Sequence, residues 1–266
     1  MKISGLLLLV FLVFMHGCKN QHGGDRANWD RDRFVDSFRD LAEIAEIKQI
    51  TDAQRDLTPS FSASGDLIYF TRFLIINPND SLESDESTKP QYFSYDYRNN
   101  KLSLLDVNSN SSESTRVFQQ KDLVPPESLP STVTESPLFG YKTPYGTFFC
   151  AEQHGGGITA NIYQLIGDSL TQVTYGAEPS LLESITPAGR RLAFTYGKNY
   201  YRTVLLDIPS GKFYSLPRGV TDTQIFELSP CFSPDGHYMV FVVSNDLFNA
   251  NGLPLGDIWL AEFIDQ

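Results

Sequence analysis

Four segments of the chain share one spacing, and this repetition constrains the fold more than any other feature. Each segment has a proline near the start of an apolar run, a turn marked by glycine, and a second apolar run with a bulky residue three positions after that glycine. Residues 229–241 show the pattern most clearly, and residues 58–70 repeat it. Units that recur at roughly 40 to 50 residues indicate an array of blades rather than one continuous sheet.

The apolar runs predict four strands in each of three repeats and three strands in the last. Bulky and β-branched residues alternate within these runs, and short polar or glycine-containing turns separate them. The predicted strands are 59–61, 67–73, 91–97 and 101–105; 137–139, 147–152, 161–166 and 170–175; 179–185, 191–196, 202–208 and 212–216; and 230–232, 238–244 and 257–263.

The strand missing from the last repeat is predicted at the other end of the domain. Residues 47–51 precede Pro59 much as residues 170–174 precede Pro179, so they match a fourth strand without the first three. We expect residues 47–51 to pair with residues 257–263 and to complete the last blade. Such a closure removes an exposed sheet edge, which is how ring architectures avoid edge-to-edge aggregation.

The last repeat also carries a family resemblance. It reads SPCFSPDG at 229–236, followed by MVF at 239–241 and DIWL at 257–260. These residues resemble the WD-like β-propeller repeat of TolB and of many bacterial envelope lipoproteins, and the resemblance extends over about residues 47–263. It implies an all-β propeller of four-stranded blades. TolB-like propellers resemble six-bladed rings, but only four blades are visible in this sequence. A degenerate fifth blade around residues 116–120 and an open arc remain alternatives.

The first residues are typical of an export signal. Lys2 precedes an apolar run over residues 5–15, which is too short to cross a bilayer. Gly17 directly before Cys18 resembles the lipobox of bacterial lipoproteins, which implies that residues 1–17 are removed and that Cys18 is acylated. Lys19 in the next position favours the outer membrane, with the protein facing the periplasm. An ordinary signal peptide with an incidental cysteine is the alternative.

Two short segments separate this signal from the repeats. Residues 18–28 are polar and contain glycine, which suits a tether. Phe34, Phe38, Leu41 and Ala45 then recur at steps of three and four residues, and this spacing predicts one amphipathic helix over residues 29–46. The helix would cover part of the domain or dock a partner. The propeller domain is assigned to residues 47–266.

Charge and cysteine usage restrict the partners. The formal net charge of −11 argues against nucleic acid or anionic lipid as the target. Cys150 and Cys231 lie in apolar runs, where buried thiols are expected, and a disulfide between them is the alternative. His22, His154 and His237 are too few and too scattered for a histidine-based metal site, and we expect no metal and no cofactor.

Connection lengths predict where a partner binds. In a propeller blade the first and third turns lie on one face of the ring, and here they are short. The connections on the opposite face are long, and long loops on a rigid scaffold are the usual place for recognition. Mere tolerated insertions are the alternative. The candidate binding residues on this long-loop face are Gln153, His154, Lys198, Tyr200, Asn245, Asp246, Phe248 and Asn249.

Two strings are similar to parts of hydrolase active sites. GDSLT at 167–171 resembles the nucleophile block of GDSL hydrolases, but the chain lacks the downstream Asp-x-x-His, and a hairpin turn explains the string. HGGG at 154–157 resembles an esterase oxyanion loop, but the chain lacks a Gly-x-Ser-x-Gly elbow. No residue is therefore assigned a catalytic role.

These features together predict a lipid-anchored, non-catalytic binding or scaffolding module of the cell envelope. The resemblance to TolB implies that the partner is another envelope protein or a peptidoglycan-associated lipoprotein. Two alternatives remain: a propeller enzyme, glycosidase-like or another hydrolase, with its site in the central channel, and a degenerate structural paralogue without a specific ligand.

Overall fold

The fold was analysed in a computed structural model. It describes residues 38–53, 55–75, 88–105, 123–124, 137–152, 160–175, 178–197, 201–217, 226–246 and 255–264. Every regular element within these ranges is a β-strand. No helix within them is long and apolar enough to cross a membrane.

Four antiparallel sheets form the body of the described chain, and each is called a blade below. Two strands come first, β1 (Arg39–Asp40) and β2 (Ile44–Gln49). Blade 1 contains β3 (Asp56–Phe61), β4 (Leu67–Ile75), β5 (Thr88–Asp96) and β6 (Lys101–Leu104). After β7 (Leu123–Val124), blade 2 contains β8 (Pro137–Thr143), β9 (Gly146–Glu152), β10 (Ala160–Ile166) and β11 (Ser169–Gln172). Blade 3 contains β12 (Ser180–Ile185), β13 (Arg191–Tyr196), β14 (Arg202–Asp207) and β15 (Lys212–Ser215). Blade 4 contains β16 (Phe226–Phe232), β17 (Tyr238–Asp246), β18 (Leu255–Phe263) and β2.

The predicted completion of the last blade by the first strand of the domain is confirmed. β2 pairs antiparallel with β18, with Gln49 opposite Trp259 and Ile47 opposite Ala261. Ile50 N donates to Ile258 O at 2.9 Å, and Ile258 N donates to the Thr51 hydroxyl at 2.9 Å. The last blade is therefore completed by the first strand of the domain, and the all-β propeller prediction holds with four four-stranded blades in the described residues.

The predicted helix over residues 29–46 is wrong where it can be checked. Residues 29–37 lie outside the described part, while β1 and the start of β2 occupy the positions that were expected to be helical. β1 adds to blade 3 as a fifth strand, parallel to β15. Phe38 packs edge-on against Tyr196, and Leu41 is buried between blades 3 and 4. The segment therefore binds two blades together from the outside.

Apolar side chains fill the joints between neighbouring blades. Blades 1 and 4 share a cluster that includes Phe61, Ile68 and Ile258. Similar clusters join blades 3 and 4, and blades 2 and 3. Blades 3 and 4 contribute to two joints each because successive side chains of a strand point to opposite faces of the sheet. Burial of these residues supplies most of the driving force for folding.

The first turns of neighbouring blades also rest on one another. Gly189 has a φ of +65°, and a Cβ at this position would stand 2.8 Å from Pro144 of blade 2. Gly236 has a φ of +79°, and a Cβ there would lie at ordinary contact distance, 3.5 Å, from Pro187 of blade 3. The repeated glycine and proline of the sequence pattern are thus explained by one recurring contact, in which a side chain on the glycine would be strained at both positions and crowded at Gly189.

Candidate functional site

The predicted binding residues lie mostly beyond the described ranges. Gln153, His154, Lys198, Tyr200, Phe248 and Asn249 fall outside the described residues, as does Cys18. Asn245 and Asp246 end β17, where the backbone of Asp246 is opposite Leu255 of β18. This end of blade 4 adjoins the connection over residues 247–254. The eight residues stay a prediction.

The described rim of the long-loop face is held by polar contacts. The Arg72 guanidinium binds Asp56 at both carboxylate oxygens, with Nε–Oδ1 and Nη2–Oδ2 distances of 2.6 and 2.8 Å. Asp56 is fully buried, and Arg72 also lies over the Phe93 ring, 4.9 Å from its centroid. Gln49 donates to Asp257 at 3.0 Å on the neighbouring blade. These contacts give the long loops a fixed base.

The innermost strands carry a bulge in every blade. The register shifts between Leu57 and Ser60 in β3, and the same shift occurs in β8, β12 and β16. Thr58 and Ser229 take positive φ values of 50° and 51° at corresponding positions. A bulge leaves one residue out of the ladder and redirects its side chain. In β12 the residue inside the shift is Glu183.

Side chains from blades 2, 3 and 4 meet near Glu183. The Tyr141 hydroxyl of blade 2 donates to the Glu183 carbonyl oxygen at 2.7 Å. The Ser184 hydroxyl accepts from the Phe232 backbone N–H of blade 4 at 3.0 Å. Cys231 of blade 4 also lies near Glu183; burial is the main cause that raises the pKa of its thiol, and the Glu183 charge adds to the rise. The centre of the described blades therefore holds a carboxyl, a thiol and a phenol.

Burial shifts the ionisation of all three groups toward their neutral forms. Desolvation raises the pKa of Glu183 to about 8, although a contact from the Thr195 hydroxyl acts in the opposite direction. Desolvation likewise raises the pKa of Cys231 to about 11 and places the pKa of Tyr141 well above its ordinary value. At neutral pH the Glu183 carboxyl is mainly protonated and the thiol is uncharged, so the thiol is a poor nucleophile.

Stability is expected to fall as the pH rises because of Glu183. In the folded state the Glu183 carboxyl keeps its proton up to a pKa of about 8, whereas the ordinary pKa of a glutamate side chain is 4.5. Stability from this group is therefore complete below about pH 4.5 and is lost as the pH rises through 8. Urea unfolding in EDTA should show wild type losing about 1–2 kcal/mol more than Glu183→Gln between about pH 5 and pH 9. Parallel pH profiles for the two proteins would contradict this assignment.

The strings similar to hydrolase motifs form no catalytic arrangement in the described residues. Gly167 and Asp168 form a two-residue turn between β10 and β11, with Ile166 opposite Ser169 and a φ of +57° at Gly167. The hairpin interpretation is confirmed. His154 and the glycines after it lie outside the described residues, and His237 is exposed at the opposite, short-turn face.

The two thiols are not bridged. Neither Cys150 nor Cys231 forms a disulfide bond. The Cys150 thiol is buried and contacts the Ser180 carbonyl oxygen at 3.2 Å, across the joint between blades 2 and 3. The described ranges contain no group of three or more His, Cys, Asp or Glu that could hold a metal ion.

Sequence reasoning missed Glu183 and the polar residues around it. A signal was present in the repeat alignment. Glu183 stands at the bulge position that is proline in blades 1 and 4, as Pro59 and Pro230. An acid that replaces a repeated proline on an innermost strand is a candidate for a role other than packing.

The chain forms four antiparallel sheets, and the first strand of the domain completes the last of them. This arrangement defines the class of protein as an all-β propeller. No protein-family model matches the chain. No curated protein matches it either.

Solved structures similar to the chain include TolB. TolB from Acinetobacter baumannii is 17% identical over 81% of this chain and 46% of that chain, with a TM-score of 0.30. A putative TolB from Agrobacterium tumefaciens is 14% identical over 83% of this chain and 68% of that one, with a TM-score of 0.34. The acylaminoacyl peptidase of Pyrococcus horikoshii is 8% identical over 82% and 33%, with a TM-score of 0.32. The chain thus spans less than half of the Acinetobacter TolB.

Proposed function

We propose that this protein is a lipid-anchored β-propeller of the bacterial envelope that binds another protein through its long-loop face. The partner is an envelope protein or a peptidoglycan-associated lipoprotein, and binding involves neither catalysis nor a cofactor. The anchor is Cys18, and the domain faces the periplasm from the outer membrane. Nucleic acid is not a partner, in keeping with the net charge of −11.

The observation that carries this proposal is the unequal length of the connections on the two faces. On one face the described turns are short, as at residues 144–145 and 167–168. On the other face, residues 76–87, 153–159 and 247–254 separate the second and third strands of blades 1, 2 and 4. The strands that hold these connections belong to blades that pack against at least one neighbouring blade through buried apolar clusters. Long loops on a rigid base suit recognition.

Loop shortening tests the binding surface. The full chain would first be cross-linked in cells to identify a partner, and the purified pair would then be measured by titration. Replacing residues 153–159 and 247–254 with short glycine-containing turns should weaken binding at least about tenfold, which corresponds to about 1.4 kcal/mol.

A matched change on the short-turn face supplies the control. Tyr145→Ser and Ile166→Ser remove two exposed apolar side chains from the first and third turns of blade 2. This variant should bind the partner as wild type does. Equal affinity of wild type and the loop variant would rule out the long-loop face, and loss of binding only in the control variant would move the surface to the opposite side.

The anchor has a separate test. Cys18→Ala removes the thiol that would be acylated, so the protein should move from the membrane to the soluble fraction. Fractionation of cells followed by immunoblotting measures this directly. A variant that stays with the membrane would contradict lipid anchoring while leaving the binding surface open to its own test.

A further inference from the structure

The outermost strand of blade 1 has an open edge. In the part of the chain that the structure describes, β6 pairs with β5 on one side, and no strand pairs with its other side. Leu105 N donates to Tyr92 O at 2.8 Å, so these two residues form a hydrogen-bonded pair. Because such pairs alternate along an antiparallel ladder, the backbone N–H and C=O groups of Leu102 and Leu104 point away from β5. These four groups can pair with an added strand.

The side chains along this edge are apolar and exposed. Leu102 is 42% exposed and Leu104 is 60% exposed. Directly opposite them on β5 are Tyr95 and Phe93, which pack in the joint with blade 4. Opposed residues share one face of a sheet, so the two leucines continue this apolar face out into the solvent.

The other blades carry polar residues at the position of Leu104. When the blades are aligned on the pairing between their two outermost strands, Leu104 corresponds to Gln172 in blade 2, Ser215 in blade 3 and Gln49 in blade 4. Native proteins protect open sheet edges with polar or charged side chains, because an apolar edge recruits other strands. Among the described blades, blade 1 alone has a large apolar residue at this position.

Blade 3 demonstrates that an outermost strand of this fold accepts another strand. β1 runs parallel to β15, and Leu41 N donates to Ser215 O at 3.1 Å. Since Ser215 corresponds to Leu104, the backbone acceptor that holds the added segment in blade 3 has an equivalent in blade 1. A strand added to β6 would find the Leu104 carbonyl oxygen in the same place.

The segment that is added to blade 3 also covers an apolar side chain. Phe38 comes directly before β1, and its ring centroid lies 6.1 Å from that of Phe213. Phe213 corresponds to Leu102 of blade 1 and is partly buried, whereas Leu102 is exposed. A segment that binds blade 1 therefore needs a bulky apolar residue at the position that Phe38 takes on blade 3.

The size and charge of the edge favour a segment of another protein over a second copy of this chain. Pairing along the four residues of β6 buries far less than the roughly 1,200–2,000 Å² of a stable protein–protein interface. Two copies, each with a formal net charge of −11, would also repel each other. The one charged residue of β6 is Lys101, which is exposed, so acidic residues in the bound segment complement the edge.

We propose that the outer edge of blade 1 binds an extended, acidic segment of a partner protein, which adds to β6 as a fifth strand and places a bulky apolar residue against Leu102 and Leu104. Backbone hydrogen bonds to these two residues supply affinity, and their side chains select the apolar residue, which is the general logic of strand addition. The edge is formed by β6 alone, so the proposal does not rest on binding at the long-loop face.

A peptide with the sequence of residues 36–43, DSFRDLAE, is the probe. It contains the strand that blade 3 accepts, and its acidic residues outnumber the basic one. Added to the isotope-labelled full chain in detergent, it should shift the amide NMR signals of Leu102 and Leu104 saturably, with a Kd on the order of 0.1–1 mM. The absence of saturable shifts up to about 5 mM peptide, or shifts confined to another blade, would overturn the proposal.

Hydrogen exchange of the full chain without peptide tests whether the edge is open. The amides of Leu102 and Leu104 should exchange fast, whereas the amide of Ser103 should exchange slowly because it points at β5. Slow exchange of all three amides would mean that another part of the chain or a second copy already pairs with β6. That result would also overturn the proposal.

Matched variants locate the bound strand. Leu104→Pro removes an outward N–H without breaking a bond to β5, so the variant should fold and bind the peptide at least about tenfold more weakly. Gln172→Pro makes the same change at the corresponding position of blade 2 and should bind the peptide as wild type does. A peptide with Phe38→Ser should bind wild type more weakly.

A second variant keeps the backbone of β6 intact. The double change Leu102→Ser with Leu104→Ser removes both apolar side chains from the edge and should also weaken peptide binding at least about tenfold. Unchanged affinity in both Leu104→Pro and the double serine variant would refute strand addition at this edge. The serine variant decides the question even where the proline variant does not fold.

Discussion

Lys48→Pro is expected to lower the free energy of unfolding by about 3 kcal/mol, although the Lys48 side chain packs against no core. The closing strand β2 pairs with β18, and Ile50 N donates to Ile258 O. In an antiparallel ladder every second residue exchanges hydrogen bonds, so Lys48 N–H also points at β18. Proline removes this donor and crowds the pair. The Tm should fall by roughly 6–12 °C.

Gln49→Pro is the control for the same strand. By the same alternation the Gln49 N–H points away from β18, so proline there removes no ladder hydrogen bond. The variant loses the side-chain contacts of Gln49 with Thr51 and Asp257, and a cost of about 1 kcal/mol is expected. Urea unfolding measures both losses. Equal losses in Lys48→Pro and Gln49→Pro would mean that the hydrogen bonds between β2 and β18 do not hold the domain together.

The pairing of the first strand with the last blade could be predicted because the sequence shows it directly. The last repeat lacks a strand, and residues 47–51 resemble the fourth strand of another repeat. The blade architecture could be predicted for a related reason. The glycine and proline of the first turns contact each other from blade to blade, so their spacing repeats with the blades. A contact that recurs between blades repeats its residues at the blade spacing, and a single sequence is enough to detect that repetition.

The N-terminal strands could not be predicted because the apolar residues of this segment serve different joints. The helix was predicted from the spacing of Phe34, Phe38, Leu41 and Ala45. Phe38 packs against the joint between blades 2 and 3, whereas Leu41 is buried in the joint between blades 3 and 4. Ala45 is exposed and is the extra residue at the register shift between Glu262 and Phe263. Contacts with two blades and a bulge therefore produced a spacing that is typical of a helix.

The polar residues around Glu183 were hidden because they are distant in the sequence. Glu183 lies inside a register shift, and Tyr141 and Cys231 are separated from it by 42 and 48 residues along the chain. Their proximity depends on how blade 3 packs against blades 2 and 4, which no local pattern encodes. Loop residues of the proposed binding face were selected from connection lengths alone, and such lengths identify a face but not a contact.

Asp56→Asn is expected to destabilise the protein by about 3–5 kcal/mol, the largest effect of a single side-chain change predicted for this chain. The Asp56 carboxylate is fully buried and receives two hydrogen bonds from Arg72. Asparagine keeps the shape but leaves the guanidinium without its charge partner. The Asp56 contact is the main cause that raises the pKa of Arg72, so the guanidinium stays charged and must be solvated. A Tm decrease of roughly 6–20 °C should follow.

A second Asp–Arg pair in the same blade serves as the control. Asp66 and Arg98 lie 2.7 Å apart, but their side chains are 51% and 59% exposed. Water replaces the lost contact there, so Asp66→Asn should cost no more than about 1 kcal/mol. The double variant Asp56→Leu with Arg72→Met should recover much of the stability, because the cost arises from one uncompensated charge rather than from the loss of attraction. If Asp56→Asn and Asp66→Asn lowered the Tm equally, the buried pair at the base of the long-loop face would have no special role in stability.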